Sequence, residues 1–225
     1  VYYNILSKTQ QTSSLRSSLS KIDLDPGYFC KFVKDQFVRN FIKQTTNPKI
    51  LDIGCDTCYI AGLLNYDKFK FSYLGLDIED RVCKEHFKGK NQQFKIMKDI
   101  SDIYKLDQYD IILLLDVIEH MKNKEQGFEL IDMCFDKLKK GGKLIISTPN
   151  QLGKKVNWPK YHKFEYTFKE IMNHCEHKLI TCFGWSMDDD LFKISCGILP
   201  KEVKRVLHAI NNPDLSRDVL YVYEK

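Results

Sequence analysis

The sequence predicts an α/β sandwich: a mainly parallel, seven-stranded sheet with helices on both faces. Three observations carry this. Short apolar runs alternate with helical stretches along most of the chain. Four successive runs lead into an acid, at Asp52, Asp77, Asp99 and Asp116. A glycine turn at Gly54 directly follows the first run.

The elements follow in order. Residues 1–24 are rich in Ser, Gln and Thr, lack sustained periodicity and read as an arm or lid. From Pro26 to about Gln44, the spacing of Phe29, Phe32, Val33, Phe37, Phe41 and Ile42 predicts an amphipathic helix. Strands are expected at Lys49–Ile53, Phe71–Leu76, Phe94–Met97, Tyr109–Leu115 and Lys143–Ser147. Helical stretches are expected at Ile60–Leu64 and Gln126–Leu138, the second broken by Gly141 and Gly142. Thr167 caps a helix running to about Cys175. Lys178–Phe183 and Val219–Tyr223 read as the last two strands, with a helix from Pro200 to Ile210 between them. One domain results: an arm and helix (1–46), a core (47–185), and an insertion with the last strand (186–225).

Composition narrows the function classes. With 225 residues, 43% hydrophobic and 12% aromatic, the chain can bury a sizeable core. No apolar run approaches the ~20 residues that span a bilayer, and no secretory segment is visible at the start. A cytoplasmic protein without membrane insertion is expected, with its eight cysteines reduced. Cys55 and Cys58 form a CxxC without a second such pair, which reads better as two thiols in a tight turn than as a metal or redox pair. The net charge of +5 permits an anionic partner without establishing nucleic-acid binding.

In parallel α/β sheets, ligands bind at the carboxyl ends of the strands. Asp77 stands where a βαβ nucleotide site places an acid on the ribose hydroxyls, ~20 residues beyond the glycine turn. The turn lacks the later glycines that a dinucleotide pyrophosphate needs, which disfavours a dehydrogenase.

Four segments, in order, resemble the class I S-adenosylmethionine-dependent methyltransferases, a Rossmann-like family. They are Leu51-Asp-Ile-Gly-Cys55, Gly75-Leu-Asp-Ile78, the run from Asp110 to His120, and Leu138 to Asn150. The resemblance implies a cofactor site of Asp52, Gly54, Cys55, Asp77, Ile78, Asp99, Ile100 and Leu115. Gly54 and Cys55 would lie against the methionine part, Asp77 on the ribose, and Asp99 with Ile100 near the adenine. One departure stands out. Asp56 and Cys58 occupy positions that are usually glycine, and their side chains are expected to crowd the loop or change its path.

Over the methyl group, two readings stay open. His162 is a general base suited to neutral pH, with His120 and Glu119 in the same catalytic group. Alternatively, Asp116, Glu119, His120 and His162 hold Mn²⁺ or Mg²⁺, which lowers the pKa of the acceptor oxygen. The second set is similar to that of the small-RNA 3′-terminal ribose 2′-O-methyltransferases, with Asp116 replacing a Glu. The segment from Leu199 to Arg217 looks like the substrate cap of methyltransferases acting on small polar metabolites. The expected acceptor is therefore small and polar, a sugar hydroxyl or a phosphoryl oxygen. RNA is the alternative, and a non-catalytic relative the second. Lesser candidates are a zinc site at His174, Cys175, His177 and Cys182, a cation at Asp188–Asp190, and an acceptor pocket lined by Trp158, Tyr161 and Trp185.

Overall fold

The alternation in Ile50-Leu-Asp-Ile53 sends successive side chains to opposite faces of one strand. That strand, β1 (Lys49–Ile53), lies inside a seven-stranded sheet. The structure, a computed structural model, describes residues 26–151, 163–185, 213 and 216–225. The arm, His162, Trp158, Tyr161, Asp188–Asp190 and nearly all of the insertion lie outside these.

Among the described residues the order is α1 (Pro26–Ile42), β1, α2 (Tyr59–Tyr66), β2 (Ser72–Asp77), β3 (Gln92–Ile96), β4 (Tyr109–Leu115), α3 (Lys124–Lys137), β5 (Leu138–Pro149), α4 (Phe168–His174), β6 (Lys178–Trp185) and β7 (Asp218–Glu224). Single 3₁₀ turns sit at Lys84–His86, Ile100–Lys105 and Ile118–His120. The sheet order is β3-β2-β1-β4-β5-β7-β6. Strands β3, β2, β1, β4 and β5 pair in parallel, whereas β7 runs antiparallel to both β5 and β6. The sheet is therefore mixed. Strands β6 and β7 are consecutive in sequence and adjacent in space, a connection that suits an antiparallel pair.

The two faces carry separate cores. Ile50, Ile111, Leu113, Ile145 and Leu220 pack with Val38 and Ile42 of α1 and Leu64 of α2. Leu51, Ile112, Leu114 and Ile146 pack with Leu130, Ile131 and Cys134 of α3 and Ile171 of α4. Local signals fix the helix ends. The Asn123 side chain caps α3 by accepting from the Gln126 amide at 2.9 Å. Thr167 and Glu170 form a reciprocal capping box on α4.

The largest departure from the expected boundaries is at β5. Helix α3 ends at Lys137, and β5 begins at Leu138 rather than Lys143. Leu138 pairs with Tyr109, and the register shifts before Lys143 meets Ile111. Gly141, at φ +75°, supplies the left-handed residue in that bulge. Pro149, expected to stop the strand, is its last residue and faces Asp218.

Gly127 on α3 shows how closely this face packs. An added Cβ would lie 1.9 Å from the Tyr166 hydroxyl, which donates to the Lys124 carbonyl at 3.1 Å. Gly127→Ala is expected to cost about 2 kcal/mol in urea unfolding, overpacking outweighing the gain in helix propensity. Adding Tyr166→Phe, which removes the clashing oxygen, should recover part of the loss. An unchanged midpoint for Gly127→Ala would contradict this packing.

Candidate active site

Because β3, β2, β1 and β4 are parallel neighbours, their carboxyl ends share one edge, and the segments bearing Asp52, Asp77, Asp99 and Asp116 gather there. The four acids do different things.

Asp77 ends β2, partly buried. Its Oδ2 accepts from the Asp56 amide at 2.9 Å and its Oδ1 from the Glu79 amide at 3.2 Å. One carboxylate thus ties down the turn after β1 and stands at the sheet edge. Ile78, next in sequence, is 70% exposed, an apolar platform beside that carboxylate.

Asp52 lies lower. It shares a face with Ile50, so its side chain points under the turn and is only 3% exposed. The Tyr73 hydroxyl donates to its Oδ2 at 2.6 Å. Burial pushes its carboxyl up to about 7, only partly offset by that hydrogen bond. The structure places Asp52 as a support beneath the turn.

The turn itself is held by the Gly54 and Cys55 amides, which donate to the Leu76 carbonyl at 2.8 and 3.1 Å. Gly54 has φ +70°, and an added Cβ would lie 2.6 Å from Val117 Cγ2. Asp56 (φ 46°) and Cys58 (φ 58°) both adopt the left-handed region where glycine is at ease. The two replacements keep a glycine-like backbone. Nor does Cys58 crowd the edge: the Cys55 and Cys58 thiols pack down onto Gly75 of β2, lying 2.8 and 2.9 Å from where a Cβ on that residue would stand. Gly75 is the compensating residue, and a two-strand reading of the sequence would have found it.

Asp99 is exposed. It caps the 3₁₀ turn Ile100–Lys105 by accepting from the Ser101 amide at 2.9 Å, which holds its carboxyl below the usual range. Ile100 is half-buried and packs against the core of the α3 face. Leu115 ends β4 against the opposite core.

Asp116 follows β4 at φ 57°. Its amide donates to the Ser147 carbonyl at 2.9 Å, and the Ser147 hydroxyl donates to its Oδ1 at 2.6 Å. Its Oδ2 pairs with the Lys34 ammonium from α1. Lys34 is 5% exposed; burial opposes its charge, but the Asp116 carboxylate outweighs that and raises its pKa. The sequence reading missed Lys34, yet a signal was present: Lys34 and Asp35 share the buried side of α1 with Val38, Phe41 and Ile42, and a lysine there needs an acid.

Glu119 is fully buried in the turn Ile118–His120, whereas His120 is exposed. Thr148 Oγ1 donates to Glu119 Oε2 at 3.1 Å, and Oε1 has no hydrogen-bond partner. Burial, with the Asp116 charge, pushes this carboxyl up to about 8. The Asp116 carboxylate is turned to Lys34 and Ser147, and Glu119 to Thr148. Among the described residues, no group of three or more His, Cys, Asp or Glu side chains could hold a metal. The expected ligand set is therefore not assembled here, and its fourth member, His162, lies outside the described residues.

The zinc reading of His174, Cys175, His177 and Cys182 fails on the same ground. His174 meets Asp132 at 2.9 Å and stacks on Phe128, while His177 lies on Phe135. Trp185 closes β6 opposite Asp218. Asn150, after β5, pins the returning chain: its amide and Nδ2 donate to the carbonyls of Arg217 and Ser216, and its Oδ1 accepts from the Phe168 amide. No helix among the described residues is long and apolar enough to cross a membrane.

Residues 26–181 match the family model described as "Methyltransferase domain". The ubiquinone biosynthesis O-methyltransferase of Shewanella pealeana is 26% identical over 124 residues, covering 50% of this chain and 50% of that protein. The small RNA 2′-O-methyltransferase of Xenopus tropicalis is 23% identical over 176 residues, covering 68% of this chain and 46% of that protein. The chain thus spans about half the length of these curated relatives. The N-methyltransferase NodS of Bradyrhizobium japonicum, solved with S-adenosyl-L-homocysteine, shares the fold at a TM-score of 0.60 and 12% identity, covering 90% of this chain and 89% of that one. The match to the family model runs from α1 into β6 and takes in the whole acidic edge, so the chain belongs to the methyltransferase domain family.

Proposed function

We propose that this chain transfers a methyl group from S-adenosylmethionine to an oxygen of a polar acceptor. The observation that carries the reading is the Asp77 carboxylate at the edge of β2, braced by the Asp56 amide and flanked by exposed Ile78. These residues fit a nucleoside: the carboxylate accepts from both ribose hydroxyls, and Ile78 covers the adenine. Gly54 and Cys55 bring the backbone close to the methionine portion.

S-adenosylmethionine supplies an electrophilic methyl carbon and leaves as S-adenosylhomocysteine. The chain's part is mainly positioning. Asp116 and the turn to His120 form the floor beyond β4, with Lys34 holding Asp116 in place. The acceptor oxygen attacks the methyl carbon in line with the breaking C–S bond, and its proton passes to His162 or His120. A sugar hydroxyl or phosphoryl oxygen remains the favoured acceptor. A second reading, the 2′-hydroxyl of an RNA 3′ end, is supported by the Xenopus relative, whose match spans 68% of this chain.

The test is transfer of labelled methyl from S-adenosylmethionine to a panel of sugars, sugar phosphates and oligoribonucleotides, in chelator and with Mn²⁺ or Mg²⁺ restored. Label on a small acceptor in chelator is the expected result. Label on RNA that is lost when the 3′ diol is destroyed with periodate would select the second reading. Dependence on Mn²⁺ or Mg²⁺ would restore the metal set around His162. No transfer to any acceptor, with no binding of S-adenosylhomocysteine, would overturn the proposal.

A further inference from the structure

The turn that braces the cofactor edge contains a pair of thiols that methyl transfer does not use. Cys55 and Cys58 are both free, with their sulfurs 3.5 Å apart. The Cys58 amide donates to the Cys55 carbonyl at 2.7 Å, closing a four-residue turn. Such a turn keeps its end Cα atoms within about 7 Å, the span that a disulfide can bridge. Gly75 forms the floor under both sulfurs, and its missing side chain is what admits them.

The surroundings suit thiol chemistry. The Tyr73 hydroxyl donates to the Asp52 carboxyl at 2.6 Å and also interacts with the Cys58 thiol. The hydrogen bond shared with the Cys55 thiol holds the Cys58 thiol below its ordinary pKa despite burial. Asp52 is a buried acceptor for the proton that Cys58 loses, with Tyr73 as the bridge. Cys58 is fully buried and Cys55 nearly so, so a peroxide reaches them only when the turn opens. Two of its residues, Asp56 and Cys58, are non-glycine residues in the left-handed region. Each carries a strain that lowers the cost of local opening.

We propose that Cys55 and Cys58 are a redox-active dithiol, which hydroperoxides oxidise to a disulfide and so withdraw the turn from cofactor binding. The Cys58 thiolate attacks one oxygen of hydrogen peroxide, the O–O bond breaks, and the departing oxygen takes back the proton held by Asp52 and leaves as water, giving a sulfenic acid. The Cys55 thiol then attacks that sulfur, forming the S–S bond and releasing a second water. Two thiols and one hydrogen peroxide thus become one disulfide and two waters. Bond formation draws the sulfurs closer than 3.5 Å. The turn that carries both thiols tightens with it, and so shifts the Asp56 amide that rests on Asp77. The effect on the cofactor rests on the proposed function; the oxidation does not.

The experiment uses the whole 225-residue chain, reduced, freed of reductant and treated with one equivalent of hydrogen peroxide. Peptide mapping by mass is expected to find Cys55 joined to Cys58 with loss of two hydrogens. S-adenosylhomocysteine added beforehand should slow the reaction. Calorimetric titration of the oxidised chain with S-adenosylhomocysteine should show affinity about tenfold weaker than that of the reduced chain, restored by dithiothreitol. In Cys58→Gly, a variant whose left-handed backbone suits glycine, and in Cys55→Ser, affinity should no longer respond to peroxide, whatever its absolute value. Tyr73→Phe should slow the cross-link. Oxidation confined to other cysteines such as Cys83 or Cys182 would overturn the proposal, as would a Cys55–Cys58 bond that leaves affinity unchanged. Failure of the reduced chain to bind S-adenosylhomocysteine would strike the proposed function, while the cross-link would still establish the dithiol.

Discussion

Asp77→Ala is expected to weaken binding of S-adenosylhomocysteine by about two orders of magnitude, with the chain still folded. A hydrogen bond to a charged group contributes about 1.5–3 kcal/mol, and two ribose hydroxyls would lose their acceptor together. The same substitution frees the Asp56 amide, which donates to Asp77 Oδ2 at 2.9 Å, so the turn beneath the methionine portion loosens as well. Asp77→Asn keeps an acceptor oxygen and should fall between the two. Calorimetry gives the affinities, and thermal unfolding without ligand shows whether the variants fold. Wild-type affinity in a folded Asp77→Ala would remove the ribose from this carboxylate.

Asp52→Asn is expected to change how stability depends on pH. The folded carboxyl titrates at about 7, against about 3.9 in the unfolded chain. Between those values the folded state holds a proton that the unfolded state has lost. Stability from this group is therefore fully present below pH 4, falls as pH rises toward 7, and is level above. The asparagine has no proton to hold, yet it still accepts from the Tyr73 hydroxyl. Relative to wild type, the variant should gain about 2–4 kcal/mol between pH 4 and pH 8, read from urea midpoints. Parallel curves would mean that Asp52 is solvated and not the buried support described above.

Much of the edge is legible in the sequence because it depends on local pattern. The five residues from Lys49 to Ile53 alternate apolar faces and form a strand with those limits. The Thr167 cap is equally local, since one hydroxyl meets an amide three residues on. What escapes is non-local. The reversal of β7 is a matter of which neighbour it pairs with, and no residue within the strand specifies that. Asp116 and Glu119 look like metal ligands in one dimension. What the pattern does not show is that Lys34, 82 residues away from Asp116, pairs with the first, and that the second lies fully buried against Thr148. The missing glycines at 56 and 58 look damaging until Gly75 is placed beneath the two thiols. The resemblance counts Asp52 among the cofactor residues, and its parity with Ile50 sends its side chain beneath the turn.

The most direct test of the methyltransferase site is a crystal structure of this chain with S-adenosylhomocysteine. The ribose hydroxyls should lie within hydrogen-bonding distance of the Asp77 carboxylate, with the adenine over Ile78 and the homocysteine portion along Gly54 and Cys55. Ligand bound elsewhere, with Asp77 still turned only to the Asp56 and Glu79 amides, would contradict it.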